Sequence, residues 1–231
     1  MRPAADRLIV ALDFTDAGSA LRMARRLRGV VRTVKVGSAL FTACGPEIIR
    51  RLRRIGFGVM LDLKFFDIPS TVQLSCRSAA QLDVALLTVH AAGGPKMLAA
   101  AAAGARQGRR GRRPLVLGVT VLTSVGGVRP GAISRRVLEL AQAAKRAGCG
   151  GVVASAQEAS AIRRRCGPRL RIICPGIRPL ASSRGDQERV STPADALRRG
   201  ASDLVVGRPI TAAANPRAAA MEIVKEMENG C

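Results

Sequence analysis

The 231-residue sequence has no tryptophan, no tyrosine, one histidine and, among its 38 basic residues, only five lysines. Each scarcity excludes something. Six cysteines (Cys44, Cys76, Cys149, Cys166, Cys174 and Cys231) with no C-x-x-C pair, and His90 alone to join them, offer no clustered ligand set for zinc. Such scattered cysteines also argue against a disulfide framework and fit the reduced, mostly buried thiols of a cytosolic enzyme. No apolar stretch approaches the ~20 residues needed to span a bilayer. The early apolar run Leu8 to Leu12 ends at Asp13 without a cleavage-site pattern, so a cytoplasmic protein is expected.

Carboxylates are few as well: 16 against 38 basic residues, a net charge of +22. A balance of that sign ordinarily points to nucleic acid or an anionic membrane surface. The 33 arginines, abundant alanine and missing tyrosine and tryptophan also fit a drift towards GC-rich codons. The basic stretch 108–113, GRRGRR, lacks interleaved aromatics and spans little surface, so it reads as a solvated loop. Only weak, non-specific nucleic-acid binding, lost near physiological salt, is expected. Where lysine has nearly vanished, Lys35 and Lys64 suggest sites that need a compact ammonium rather than a guanidinium.

Apolar runs and helix-patterned runs alternate from end to end. Strands are expected at Leu8–Asp13, Val31–Gly37, Gly58–Lys64, Val84–His90, Leu115–Val121, Gly150–Ser155, Arg171–Cys174 and Asp203–Val206. Helices are expected at Ala17–Arg28, Pro46–Ile55, Thr71–Leu82, Pro95–Gln107, Ser134–Arg146, Gln157–Arg165, Pro193–Arg199 and Asn215–Met227, with Asp16 or Thr15 capping the first. Eight strands alternating with helices imply parallel βαβ units. At this length the natural closure is a single (β/α)₈ TIM barrel over residues 1–231. A doubly wound open sheet is the alternative, but Asp13-Phe14-Thr15 is not the glycine-rich turn it requires.

The chain's most conspicuous stretch is GVMLDLKFFDIPST, residues 58–71, in which Asp62, Lys64 and Asp67 close an apolar run. Side chains at i and i+2 of a strand share a face, roughly 7 Å apart, so Asp62 and Lys64 should project together, with Asp67 just beyond. Pro69 should stop the strand and Ser70 or Thr71 cap the next helix. A lysine flanked by carboxylates is held charged in a defined field. The same pattern also fits a structural salt-bridge cluster. Further on, Pro175-Gly176-Ile177-Arg178-Pro179, then Gly185 to Val190, then Gly207-Arg208-Pro209 follow the last two strands, where barrels often bind phosphate. The span Gly176 to Ser191 is long for such a loop and suits a lid.

Taken in order, ALDF, VKVG, DLKFFDIPST, VHAAGG, VTVLTS, PGIRP, DQERVSTP and VVGRPI resemble the orotidine 5′-phosphate decarboxylases, from Leu8 to about Val224. Cys174, the segment Leu180 to Arg184 and the arginine-rich surface depart from that family's usual pattern. The resemblance implies cofactor-free, metal-free conversion of orotidine 5′-phosphate to uridine 5′-phosphate, the last step of UMP synthesis. It further implies a homodimer in which Asp67, Ile68 and Thr71 reach the partner's pocket. Lys64, Asp62, Asp67 and Lys35 would be the catalytic array. Asp13, Lys35 and Thr71 would hold the ribose, Asp62 would lie near the substrate carboxylate, and Thr123 would meet the pyrimidine edge. Arg178, Gln187, Gly207 and Arg208 would grip the phosphate. His90 fits a satisfied strand-end histidine as well as a functional one.

Overall fold

The computed structural model describes residues 2–108, 113–122, 130–179 and 191–229. Helix α1 (Ala4–Arg7) leads into β1 (Leu8–Ala11), α2 (Ala17–Leu27), β2 (Thr33–Gly37), α3 (Ser38–Cys44), α4 (Glu47–Ile55), β3 (Gly58–Phe65) and α5 (Pro69–Gln81). Then come β4 (Leu86–His90), a 3₁₀ turn at Ala91–Gly93, α6 (Gly94–Ala105), β5 (Leu115–Val119), α7 (Pro130–Arg146), β6 (Gly151–Val153) and α8 (Ala156–Cys166). The chain closes with β7 (Arg171–Cys174), α9 (Pro193–Arg198), β8 (Asp203–Val206), α10 (Arg208–Thr211) and α11 (Pro216–Glu228). The eight strands pair in sequence order, all parallel, and β8 returns to β1 to close the barrel.

Strand alternation divides the apolar residues into two cores. Ile9, Ala11, Met60, Leu86, Leu117, Ile173 and Val205 point inward and fill the barrel, while Leu8, Val10, Val34, Val36, Val59 and Leu61 point outward to the helices. At the N-terminal end, buried Asp203 accepts a fork from Arg171 (2.6 and 3.0 Å) and a third bond from Arg2 (2.8 Å). That carboxylate belongs to the closed end of the barrel. The inward parity carries on at the open end, where it delivers polar residues.

Several elements differ from expectation. Segments 4–7, 38–44 and 208–211 are short helices rather than connections; in α3 only Leu40 is buried, too little for an amphipathic signal. Helix α5 starts at Pro69, not Thr71. Proline's fixed φ suits the first helical position, and Ile68 precedes it with no side-chain cap, so neither Ser70 nor Thr71 caps the helix. Asp16 does cap α2, accepting from the Ser19 amide at 2.8 Å.

Candidate active site

A cavity of about 310 Å³ opens at the C-terminal ends of the strands. Its walls continue the inward parity: Asp13 follows Ala11, Lys35 lies on β2, Asp62 follows Met60, and Gly207 follows Val205. Apolar Val119, Val121, Leu122 and Val153 line one side, while Gly176, Arg178 and Arg208 line another. Apolar side chains and a set of charged ones, Asp13, Lys35, Asp62, Lys64, Arg178 and Arg208, share the lining.

The charged wall is an alternating array. Lys35 Nζ lies 2.8 Å from Asp13 Oδ1 and 3.7 Å from Asp62 Oδ2. Lys64 Nζ lies 2.9 Å from the same Asp62 oxygen. Burial opposes ionisation of Asp62, but Lys64 and Lys35, together with hydrogen bonds from Lys64 and Thr88, more than offset it and hold the carboxyl below its usual range. A Cβ at Gly37, the glycine ending VKVG, would stand 3.2 Å from Lys35 Nζ.

Asp62 and Lys64 do meet, though not by simple alternation. The pairing of β3 with β4 runs Leu61 to Leu87 and then Phe65 to Val89, so four residues on β3 span two on β4. Within that bulge Lys64 takes a left-handed conformation, φ 50°, which costs a non-glycine residue about 1–2 kcal/mol unless its surroundings hold it. Thr88, fully buried on β4, is bonded to both residues. Its Oγ1 accepts from the Lys64 amide at 2.9 Å and donates to Asp62 Oδ1 at 2.9 Å. Sequence reasoning missed Thr88, because one threonine inside an apolar strand reads as ordinary β-forming material.

Asp67, Ile68 and Thr71 are exposed and lie off the cavity wall. Asp67 Oδ1 accepts from the Ile68 amide at 2.6 Å, and among the described residues it forms no ion pair. Around it, Phe66, Ile68 and Leu74 are 62%, 64% and 60% exposed. Large apolar side chains left open together are the kind of surface at which proteins meet partners.

At the far end, Arg178 and Arg208 face the same cavity, and burial followed by the charge of Arg208 lowers the pKa of Arg178. Two guanidiniums held together favour a bound anion. The Arg178 amide donates to Ser191 O (3.0 Å) and the Ser191 amide to Gly176 O (3.3 Å), which ties together the two ends of the expected lid. Thr123, Gln187 and most of the 176–191 span lie outside the described residues, as does much of GRRGRR. His90 packs on Phe66 with ring centroids 5.4 Å apart; burial first, then the charge of Lys64, keeps its pKa below the ordinary histidine value.

Comparison with known proteins places the chain in one family. A family model described as the orotidine 5′-phosphate decarboxylase / HUMPS family matches residues 6–223. The orotidine 5′-phosphate decarboxylase of Maridesulfovibrio salexigens is 48% identical over 228 residues, covering 96% of this chain and 99% of that protein. Its counterpart from Moorella thermoacetica is 47% identical, covering 97% and 93%. The crystal structure of orotidine 5′-phosphate decarboxylase from Lactobacillus acidophilus superposes with a TM-score of 0.85 at 35% identity, covering 98% of this chain and 99% of that one.

Proposed function

We propose the following division of labour for a chain that belongs to the orotidine 5′-phosphate decarboxylase / HUMPS family and decarboxylates orotidine 5′-phosphate to uridine 5′-phosphate in pyrimidine biosynthesis. Loss of CO₂ from C6 of the pyrimidine leaves an electron pair in the ring plane, where the π system delocalises it poorly. The protein must therefore supply fixed positive charge at that carbon and then a proton. Lys64 provides both: its ammonium stabilises the developing carbanion and transfers a proton to C6. The observation that carries this reading is the Asp13–Lys35–Asp62–Lys64 array, which ends at Lys64 on the cavity wall.

Asp62 lies beside the departing carboxylate, where repulsion between like charges is relieved as CO₂ leaves. Lys35 and Asp13 hold ribose hydroxyls, and Lys35 also compensates Asp62 as the charges shift. Arg178, Arg208 and Gly207, with Gln187, grip the phosphate; Thr123 meets the pyrimidine edge. Binding energy from that remote phosphate can be expressed in the transition state when it stabilises a closed site. Asp67, Ile68 and Thr71 complete the pocket of a second subunit in a homodimer. Their exposure beside Phe66 and Leu74, away from their own cavity, supports this assignment. We further propose that the chain acts as one barrel domain in the cytoplasm; no helix among the described residues is long and apolar enough to cross a membrane.

A sister reading, a magnesium-dependent enzyme acting on a sugar phosphate, needs a carboxylate near the end of the second strand to hold the metal. Lys35 occupies that position. The purified protein should convert orotidine 5′-phosphate to uridine 5′-phosphate at an undiminished rate in excess EDTA, followed by the ultraviolet change on decarboxylation. Loss of turnover on chelation, restored by magnesium, would favour the sister chemistry.

A further inference from the structure

We infer that Thr88 is a positioning residue for decarboxylation: its single hydroxyl sets both the orientation of the Asp62 carboxylate and the left-handed backbone from which Lys64 reaches the cavity. The inference rests on the assignment of Lys64 as proton donor. Its geometry, however, is independent of substrate. A threonine hydroxyl has one proton to give and lone pairs to receive. The Lys64 amide can only donate, so it takes a lone pair of Oγ1, 2.9 Å away. An ionised carboxylate can only accept, so the hydroxyl proton goes to Asp62 Oδ1, also at 2.9 Å. Both directions are thereby fixed, and the hydroxyl cannot rotate away without leaving a polar group unpaired.

That constraint falls where precision matters most. Lys64 sits at φ 50° inside the β3–β4 bulge, and its ammonium shares Asp62 with Lys35. With Oδ1 held by Thr88, Oδ2 is left to face both ammoniums, which fixes where the Lys64 proton can point. Thr88 has no exposed surface and does not line the cavity. Its effect on the reaction must therefore pass through its two partners. Misplacing a reacting group by about 1 Å can cost on the order of 100-fold in rate. Loss of the Thr88 bond should also make Asp62 easier to protonate. Asp62 is faced by Lys64 on its own strand, Lys35 on β2 and His90 on β4, with Asp13 behind Lys35.

Thr88→Val keeps the branched shape and removes the hydroxyl; Thr88→Ser keeps the hydroxyl. The expected result for Thr88→Val is a fall in kcat of roughly 10- to 100-fold, with uridine 5′-phosphate affinity within about threefold of wild type. The acid limb of kcat should move to higher pH. Thr88→Ser should restore kcat to within about threefold and return the limb to its wild-type position. If Thr88→Val fails to fold, Thr88→Cys, with similar volume and only a weak donor, should fold and show a loss of kcat and an acid-limb shift in the same direction. The inference is overturned by a folded Val or Cys variant with wild-type kcat and pH profile, by a Ser variant as impaired as Val, or by nucleotide affinity falling in step with kcat. All outcomes are read against an active wild type, whereas the Lys64 assignment fails separately if Lys64 variants keep turnover.

Discussion

Mixing two inactive variants should regenerate activity if the site is shared between subunits. In Lys64→Ala the proton donor is lost; in Asp67→Ala the carboxylate offered to the neighbouring barrel is lost. Each alone should fall to background. A two-fold dimer places Lys64 of one chain and Asp67 of the other in each site. A mixed dimer then has one site carrying both substitutions and one carrying neither. Random reassortment of equal amounts makes about half the dimers mixed, so the mixture should recover roughly a quarter of wild-type activity. The structure supplies the reasoning: Asp67 is exposed, bonded only to the adjacent Ile68 amide among described residues, and off its own cavity wall. Decarboxylation is assayed before and after exchange, with mixed dimers counted by native mass spectrometry. Confirmed mixed dimers with no recovered activity would refute the shared site, and a monomeric wild type would remove its premise.

Three further outcomes are expected. His90 is the only histidine in the chain, so one imidazole signal reports the field at the strand ends by NMR; its pKa should lie below 6.5 and rise in Lys64→Met, since the Lys64 charge is among the causes of the depression. Because the unfolded chain then takes up that proton more readily than the folded one, His90 should cost stability as pH falls through about 6.5, and His90→Gln should flatten that limb in denaturant titrations. Arg208→Ala should weaken uridine 5′-phosphate about 10- to 100-fold while leaving affinity for uridine nearly unchanged; equal losses for both ligands, measured by calorimetry, would place the phosphate elsewhere.

The barrel was legible because its signal is repetitive: eight apolar runs alternating with amphipathic segments leave few other closures. Asp13, Lys35, Asp62, Lys64, Arg178, Gly207 and Arg208 could be found because they follow apolar strands at the ends that barrels use for chemistry, and the cavity gathers all seven. Geometry was harder to read. The expected i, i+2 relation between Asp62 and Lys64 assumes a regular strand, whereas the actual contact depends on a bulge and a left-handed lysine, which no local residue preference announces. Thr88 was invisible for a related reason: its role comes from a neighbouring strand 24 residues away. Pro69 reads as a stop signal for the strand, but β3 already ends at Phe65 and the proline instead opens α5. The short helix at 38–44 buries one leucine and leaves almost no pattern to detect.

The most direct test of the account is turnover by Lys64→Arg beside Lys64→Ala. Arginine keeps the positive charge, but its guanidinium has a pKa above ~12 and a wide planar head, so it neither fits beside Asp62 as the ammonium does nor gives up a proton readily. Both variants should lose several orders of magnitude in kcat, roughly 4 kcal/mol or more of barrier. Both should remain folded and still bind uridine 5′-phosphate, because the arginines at the far end of the cavity are untouched. An arginine variant with near-normal turnover would contradict the account, showing that Lys64 contributes charge alone and that the proton at C6 comes from another donor.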